Sequence, residues 1–212
     1  MKLSREWMAK IGEERGVNQF ILVAGVGLTT CSVYLNEKGE DGKWYELMST
    51  PAIMGPRGLG KERDGDGKTP IGTFKLNNAF GVAEKPATKL DYHKLREEDY
   101  WSADPNCHYN TMISLKDYPQ LNTGMSEHLI AYPTAYEYGM NIDYNPECDS
   151  KKGNAIFLHC FGEEKPFTEG CVAVPASKMK FIMENIDPEC VMVIDYLKNL
   201  SPETYGEWDV QE

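Results

Sequence analysis

Apolar residues fall along this chain mainly in short runs bounded by turn-forming residues, a pattern that predicts β-strands more often than helices. β-Branched and aromatic residues are frequent in several of these runs, which favours strand formation. The turn-rich segment 36–42 separates the second run from the third, and a glycine-rich loop at 55–68 precedes the fourth. The predicted strands are residues 19–26, 30–35, 43–48, 69–74, 154–159, 171–174 and 190–196.

Two segments instead have the spacing of an amphipathic helix. The first is 4–14, whose apolar face consists of Trp7, Met8 and Ile11. The second begins at Pro175, since proline is favoured at the first helical position, and it ends before Pro188. Its apolar residues follow the i, i+3, i+4, i+7 spacing and are Met179, Ile182, Met183 and Ile186.

The middle of the chain, 77–150, has no sustained period and is rich in Tyr, Asn, Asp and Pro. Short apolar pieces at 112–115 and 129–132 predict two short strands within long loops, which would cover one end of the sheet. The sequence therefore predicts a mainly β fold with one or two helices and a long irregular insertion.

Length and charge limit the classes of function. The 212 residues suffice for one domain with a hydrophobic core. The formal net charge of -11 disfavours nucleic acid as a partner and favours cationic ligands. No apolar run is long enough to span a bilayer. The segment 1–16 has no apolar core of the kind that a signal peptide requires, which leaves open both a cytoplasmic protein and one whose signal has been removed.

The six cysteines show no regular spacing and no CxxC pair, so a disulfide framework is not predicted. Most cysteines in apolar runs are small packing residues. Cys171 differs because it follows a polar turn and begins a short strand, where its sulfur could reach the surface of a rigid element.

A nucleophilic cysteine needs a base, backbone donors for an oxyanion and access to substrate. His159 ends a predicted buried strand and could supply the base for Cys171. Gly170 lacks a Cβ, so the backbone around it could approach a substrate carbonyl closely. The alternative is that Cys171 and His159 are ordinary packing residues.

Zinc binding is a competing interpretation of the same segment. His159, Cys160 and Cys171, with Cys107 and His108, offer zinc-type ligands. Adjacent residues on a strand point to opposite faces, however, so His159 and Cys160 should not share a metal. We therefore expect no metal and no organic cofactor.

Two segments resemble the signature of a known family. His159 followed by Thr168-Glu169-Gly170-Cys171-Val172, and the upstream run 65–74 with its Thr-Pro-Ile-Gly-Thr-Phe sequence, are similar to the motifs of YkuD-type L,D-transpeptidase catalytic domains. The resemblance implies a β-sandwich or a partly open barrel. It also implies that Cys171 is the acylated nucleophile and His159 its base, with the backbone carbonyl of Thr168 or Glu169 orienting the imidazole.

The resemblance has two departures and leaves substrate contacts open. Members of the family often have a second His where this chain has Glu169 and an Arg where it has Ala173. Candidate catalytic residues are thus Cys171, His159, Gly170, Thr168 and Glu169, and candidate substrate contacts are Trp101, Tyr109, Phe161 and Gly162. The other aromatic residues of the middle segment that could form a lid or groove are Tyr132, Tyr136 and Tyr138.

The function implied is transfer of peptidoglycan tetrapeptide stems through a Cys171 acyl-enzyme, which forms cross-links. Attack by water would make the same site an L,D-carboxypeptidase, and loss of activity would leave a non-catalytic wall-binding domain. The expected protein is a monomer located outside the cytoplasm or in the cell wall. Its expected parts are a helical segment 1–18, the catalytic domain 19–200 and a tail 201–212.

Overall fold

A computed structural model describes residues 2–162 and 165–204; residues 205–212 of the predicted tail and Met1 lie outside the described part. The strands are β1 (Lys2–Leu3), β2 (Gln19–Gly25), β3 (Thr30–Lys38), β4 (Trp44–Ile53), β5 (Gly72–Gly81), β6 (Tyr92–Lys94), β7 (Asp99–Trp101), β8 (Met112–Ser114), β9 (Glu127–His128), β10 (Gly139–Ile142), β11 (Phe157–Cys160), β12 (Val172–Val174) and β13 (Val191–Tyr196). The helices are α1 (Glu6–Arg15), α2 (Ala176–Asn185) and α3 (Leu197–Leu200).

The main sheet closes on itself. Its strands follow the order β4-β12-β11-β10-β5-β13-β2-β3, and β3 pairs again with β4. The strands β1 and β6 extend the sheet by pairing with β4 and β5. Most neighbours are antiparallel, but three pairs run parallel: β11 with β12, β13 with β2, and β5 with β6. The predicted mainly β fold is confirmed, and closure makes it barrel-like rather than a sandwich.

The inside of the closed sheet is the main hydrophobic core. Alternate residues of β2 show the two faces: Ile21 and Val23 point inwards, whereas Phe20 and Leu22 point outwards. The helix α2 contributes Met179, Ile182 and Met183 to the inner core, as its spacing predicts. The helix α1 packs on the outer residues of β2, and a left-handed Gly16 ends it. With ten residues each, α1 and α2 are too short to span a bilayer, and the described part of the chain contains no other candidate for a membrane-spanning helix.

The insertion carries a separate three-stranded sheet in the order β8-β7-β9. The strand predicted at 112–115 is confirmed as β8. The prediction of a strand at 129–132 is wrong, because residues Leu129–Ala131 form a 3-10 turn. The N–H of Tyr132 donates to the carbonyl of Leu129 at the end of this turn. Pro133 follows directly and cannot donate to a strand ladder.

The sequence did not predict β10, although this strand lies between β11 and β5 in the closed sheet. All four of its residues are buried. Gly139 and Asn141 interrupt its apolar pattern, and Gly139 is required because a Cβ would lie 2.7 Å from the Phe80 ring. The Phe80 ring, from the neighbouring strand β5, thus occupies the space that a side chain at Gly139 would take.

Candidate active site

The candidate site lies on the outer face of β11 and β12. Their parallel register places His159 beside Ala173 and Leu158 beside Val172. Leu158 and Val172 point into the core, so His159 points outwards, as does Cys171, the residue before β12. Two neighbouring strands therefore hold the imidazole and the thiol on one face.

Both side chains line one cleft with a volume of about 1180 Å³. Its walls come from the loop 61–67, the insertion between residues 103 and 136, the segment 150–156 and the turn before β12. The insertion thus covers the outer face of the sheet that carries the two predicted reactive residues.

The Cys171 side chain is almost fully buried, with 8% of the residue exposed. Its thiol donates to the carbonyl of Ala155 at 3.2 Å, and the N–H of Phe157 donates to its sulfur at 3.3 Å. Burial raises the pKa of this thiol to about 12, although the N–H of Phe157 opposes the shift. The resting cysteine is therefore a neutral thiol.

A backbone carbonyl of the same strand orients the imidazole of His159. Its Nδ1 lies 2.7 Å from the carbonyl of Cys160. Because a carbonyl only accepts, Nδ1 carries the hydrogen and Nε2 keeps a lone pair. The orienting carbonyl is therefore that of Cys160, not that of Thr168 or Glu169 as the family resemblance implied.

Burial also keeps His159 neutral. It lowers the pKa of the imidazole to about 4, against the opposing effect of the carbonyls of Cys160 and Ala135. The ring of Tyr136 packs edge-on against it, with centroids 5.5 Å apart. An uncharged imidazole and an uncharged thiol thus line the same cleft.

The lowered pKa of His159 predicts a loss of stability in mild acid. The pKa of the His159 imidazole is 6.5 in the unfolded chain and about 4 in the folded chain. The part of the free energy of unfolding that this shift contributes is present above pH 6.5 and is lost as the pH falls towards 4. The expected loss is about 3 kcal/mol. Urea unfolding of the parent and of His159→Gln at several pH values measures it; equal pH dependence in both proteins would contradict a buried neutral imidazole.

Thr168 and Gly170 shape the turn that presents Cys171. The Thr168 hydroxyl donates to the carbonyl of Cys171 at 2.6 Å and accepts from the N–H of Gly170 at 3.2 Å. Gly170 has φ +135°, and a Cβ there would lie 2.9 Å from the carbonyl oxygen of Lys68. Only glycine fits this close approach without strain.

Glu169 lies on the exposed rim of the cleft, where it forms an ion pair of 2.8 Å with Lys165. The structure therefore separates it from the hydrogen bonds that hold the thiol and the imidazole. Ala173 lines the cleft beside His159, at the position where the family often has Arg.

The upstream motif contacts the backbone of Cys171 directly. The Thr69 hydroxyl accepts from the N–H of Gly55 at 3.0 Å and donates to the carbonyl of Cys171 at 3.3 Å. The N–H of Thr168 also donates to the carbonyl of Met54 at 3.1 Å. The two sequence motifs, about a hundred residues apart, thus meet at the backbone of Cys171.

Asp66 organises the loop that carries this motif, a role that sequence reasoning missed. Its carboxylate accepts from the backbone N–H groups of Glu62, Arg63 and Lys68 and from the ammonium of Lys61 at 3.0 Å. Burial alone would raise the pKa of Asp66, but these donors together lower it to about 2. The Gly-Asp-Gly sequence could have suggested a turn, but not the buried lysine that pairs with it.

Two of the four candidate substrate contacts, Tyr109 and Gly162, line the cleft, and the other two do not. Tyr132 and Tyr136, the aromatic residues expected to form a lid or groove, line the cleft as well. Trp101 is completely buried and packs edge-on against Phe157, so it supports the cleft from beneath and cannot contact a substrate.

Phe161 does not line the cleft either, and its backbone N–H donates a hydrogen bond to the carbonyl of Val174. Ala155 and Glu127 are among the cleft residues that the sequence did not predict, because neither belongs to a recognisable motif.

The cysteines and histidines of the zinc hypothesis are dispersed. Cys160 points into the inner core, and Cys107 packs in a separate cluster of the insertion. Among residues 2–162 and 165–204 no three His, Cys, Asp or Glu side chains are grouped so that they could hold a metal.

Comparison with known proteins agrees with this geometry. The model of the YkuD family, the L,D-transpeptidase catalytic domain, matches residues 23–194, which include both motifs and all strands from β3 to β12. No curated protein matches the chain significantly. The family match covers most of the chain, and we conclude that the chain belongs to the YkuD family of L,D-transpeptidase catalytic domains.

Proposed function

We propose that this protein is a cysteine-dependent L,D-transpeptidase that forms peptidoglycan cross-links through an acyl-enzyme on Cys171. The observation that carries the proposal is the placement of Cys171 and His159 on one face of two adjacent strands, in one cleft. The family match supports the same assignment and implies a peptidoglycan substrate.

The first step starts from the neutral pair. The thiol exchanges its hydrogen bond to the carbonyl of Ala155 for one to the Nε2 of His159 by rotation of the Cys171 side chain. The sulfur then attacks the carbonyl of the L-residue before the terminal D-residue, while Nε2 takes the thiol proton. The carbonyl of Cys160, which accepts from Nδ1, stabilises the imidazolium that forms. A resting thiolate is not needed.

The tetrahedral intermediate then collapses to a thioester. The backbone N–H of Cys171 is the candidate donor to the oxyanion, since the N–H of Gly170 already donates to the Thr168 hydroxyl and Thr168 and Thr69 fix the carbonyl of Cys171. The imidazolium returns its proton to the departing amine of the D-amino acid. The acyl group remains on sulfur and the imidazole is neutral again.

The second half of the reaction decides the product. An amine from another stem attacks the thioester, one of its protons passes through His159 to the sulfur, and a cross-link forms. Water at the same position yields the L,D-carboxypeptidase product. The cleft volume of about 1180 Å³ exceeds that of most single-ligand pockets, which favours binding of two stems. Because the substrate is peptidoglycan, we place the protein outside the cytoplasm or in the cell wall.

The test is mass spectrometry of the products formed from purified disaccharide-tetrapeptide. The proposal expects a cross-linked dimer and release of the terminal D-amino acid. Tripeptide without dimer would replace transpeptidation by the carboxypeptidase reaction. Unchanged tetrapeptide in the presence of folded protein would overturn catalysis and favour the non-catalytic wall-binding domain.

A further inference from the structure

A carboxylate of the insertion lines the same cleft as the proposed nucleophile. Glu127 lies on β9, which pairs with β7 so that Glu127 stands opposite Trp101. The next residue, His128, stacks on Tyr100 at 4.4 Å and donates from Nε2 to a backbone carbonyl. Because side chains alternate along a strand, Glu127 points the other way, into the cleft.

A buried tyrosine holds this carboxylate in place. The Tyr136 hydroxyl donates to Oε1 of Glu127. The Tyr136 ring is itself fixed by edge-on contacts with Phe80, Phe157 and His159. Glu127 is thus connected through one rigid ring to the imidazole of the proposed catalytic pair.

Among the residues that the structure describes, no basic side chain pairs with the carboxylate of Glu127. The two lysines that line the cleft pair with other carboxylates, Lys61 with Asp66 and Lys165 with Glu169. Within the described ranges, no ion pair involves Glu127. A partly buried carboxylate without a cation favours a cationic ligand, and the net charge of -11 attracts such ligands to the protein.

The carboxylate shares the cleft with the sulfur, and its charge acts on the thiol. Burial is the main cause of the raised pKa of Cys171, and the negative charge of Glu127 adds to it. Burial raises the pKa of Glu127 as well, although the hydrogen bond from Tyr136 opposes this shift. A carboxylate with a raised pKa accepts a proton from an ammonium group more readily than an exposed one does.

We propose that Glu127 is the acceptor subsite of the reaction: it binds the ammonium group of the incoming stem beside the Cys171 thioester and removes a proton from it. This inference rests on the proposed acyl-enzyme. The neutral amine then forms the C–N bond, the C–S bond breaks, and a second N–H proton passes through His159 to the sulfur. The proton on Glu127 is released to solvent. Tyr136 is a positioning residue for this carboxylate.

The test compares two nucleophiles on the same acyl-enzyme. The parent and Glu127→Gln are acylated with disaccharide-tetrapeptide and then offered either a disaccharide-tripeptide that carries a side-chain ammonium or hydroxylamine, which is uncharged near neutral pH. In the variant, kcat/KM for the ammonium acceptor should fall by roughly ten- to a hundredfold relative to kcat/KM for hydroxylamine, as expected for one lost charge-assisted hydrogen bond.

Two further variants separate this role from a structural one. Tyr136→Phe keeps the ring and removes the hydroxyl, so it should shift the same ratio in the same direction by a smaller factor. Glu98→Gln changes another carboxylate of the insertion, one that pairs with Lys116 away from the cleft, and should leave the ratio unchanged.

An equal loss with both nucleophiles in Glu127→Gln would overturn the acceptor role alone. Absence of any acyl-enzyme in the parent would overturn the proposed function and this inference with it.

Discussion

Cys171→Ala is expected to abolish both cross-linking and release of the D-amino acid, with a fall in kcat of at least about 10⁴-fold, because among the described residues no other cysteine lines the cleft. The variant should remain folded. It loses two sulfur hydrogen bonds, to Ala155 and Phe157, and the cost in free energy of unfolding should stay below about 2 kcal/mol. Product analysis and urea unfolding measure the two effects separately.

Cys31→Ala is the matched control. Cys31 is as deeply buried as Cys171, and burial raises its pKa to about 12 as well, but it lies in the core of the closed sheet and does not line the cleft. The control should lose stability and keep its activity. Turnover retained in Cys171→Ala, or lost equally in both variants, would exclude Cys171 as the nucleophile.

Asp66→Ala is expected to lower the free energy of unfolding by about 3–5 kcal/mol, the usual effect of removing one partner of a buried ion pair. The Lys61 and Asp66 side chains are only 3% and 7% exposed. The variant would leave the Lys61 ammonium and three backbone N–H groups without their acceptor. Activity should fall too, because the same loop positions the Thr69 hydroxyl on the carbonyl of Cys171.

The control for this prediction is Asp64→Ala, an exposed aspartate of the same loop, which should change stability by less than about 0.5 kcal/mol. The lowered pKa of Asp66 adds a pH signature. Its stabilising effect is present above the unfolded pKa of 3.8 and is lost as the pH falls through about 2. A difference between parent and Asp66→Ala that stays constant from pH 5 to pH 2 would contradict the ion pair.

The proposed reactive residues were within reach of sequence reasoning because their motifs resemble those of a known family and the turn before Cys171 is a local structure. The turn from Thr168 to Cys171 is held by hydrogen bonds over two or three residues, and His159 sits on the adjacent strand. The apolar spacing of α2 predicted its buried face for the same reason, since a helix is a local structure.

What could not be predicted depends on contacts between distant segments. Trp101 was expected at the surface of a groove, but the insertion folds so that it lies beneath the cleft. The pairing of Glu127 with Tyr136 and that of Lys61 with Asp66 have no sequence pattern. The raised pKa of Cys171 follows from burial, which a motif does not encode.

The most direct test of the central claim is intact-protein mass spectrometry of the parent shortly after mixing with disaccharide-tetrapeptide, followed by peptide mapping. We expect a covalent adduct with the mass of the substrate less its terminal D-amino acid, located on Cys171 and absent from Cys171→Ala. Turnover of the tetrapeptide without any adduct on Cys171, or with an adduct on another residue, would contradict the account.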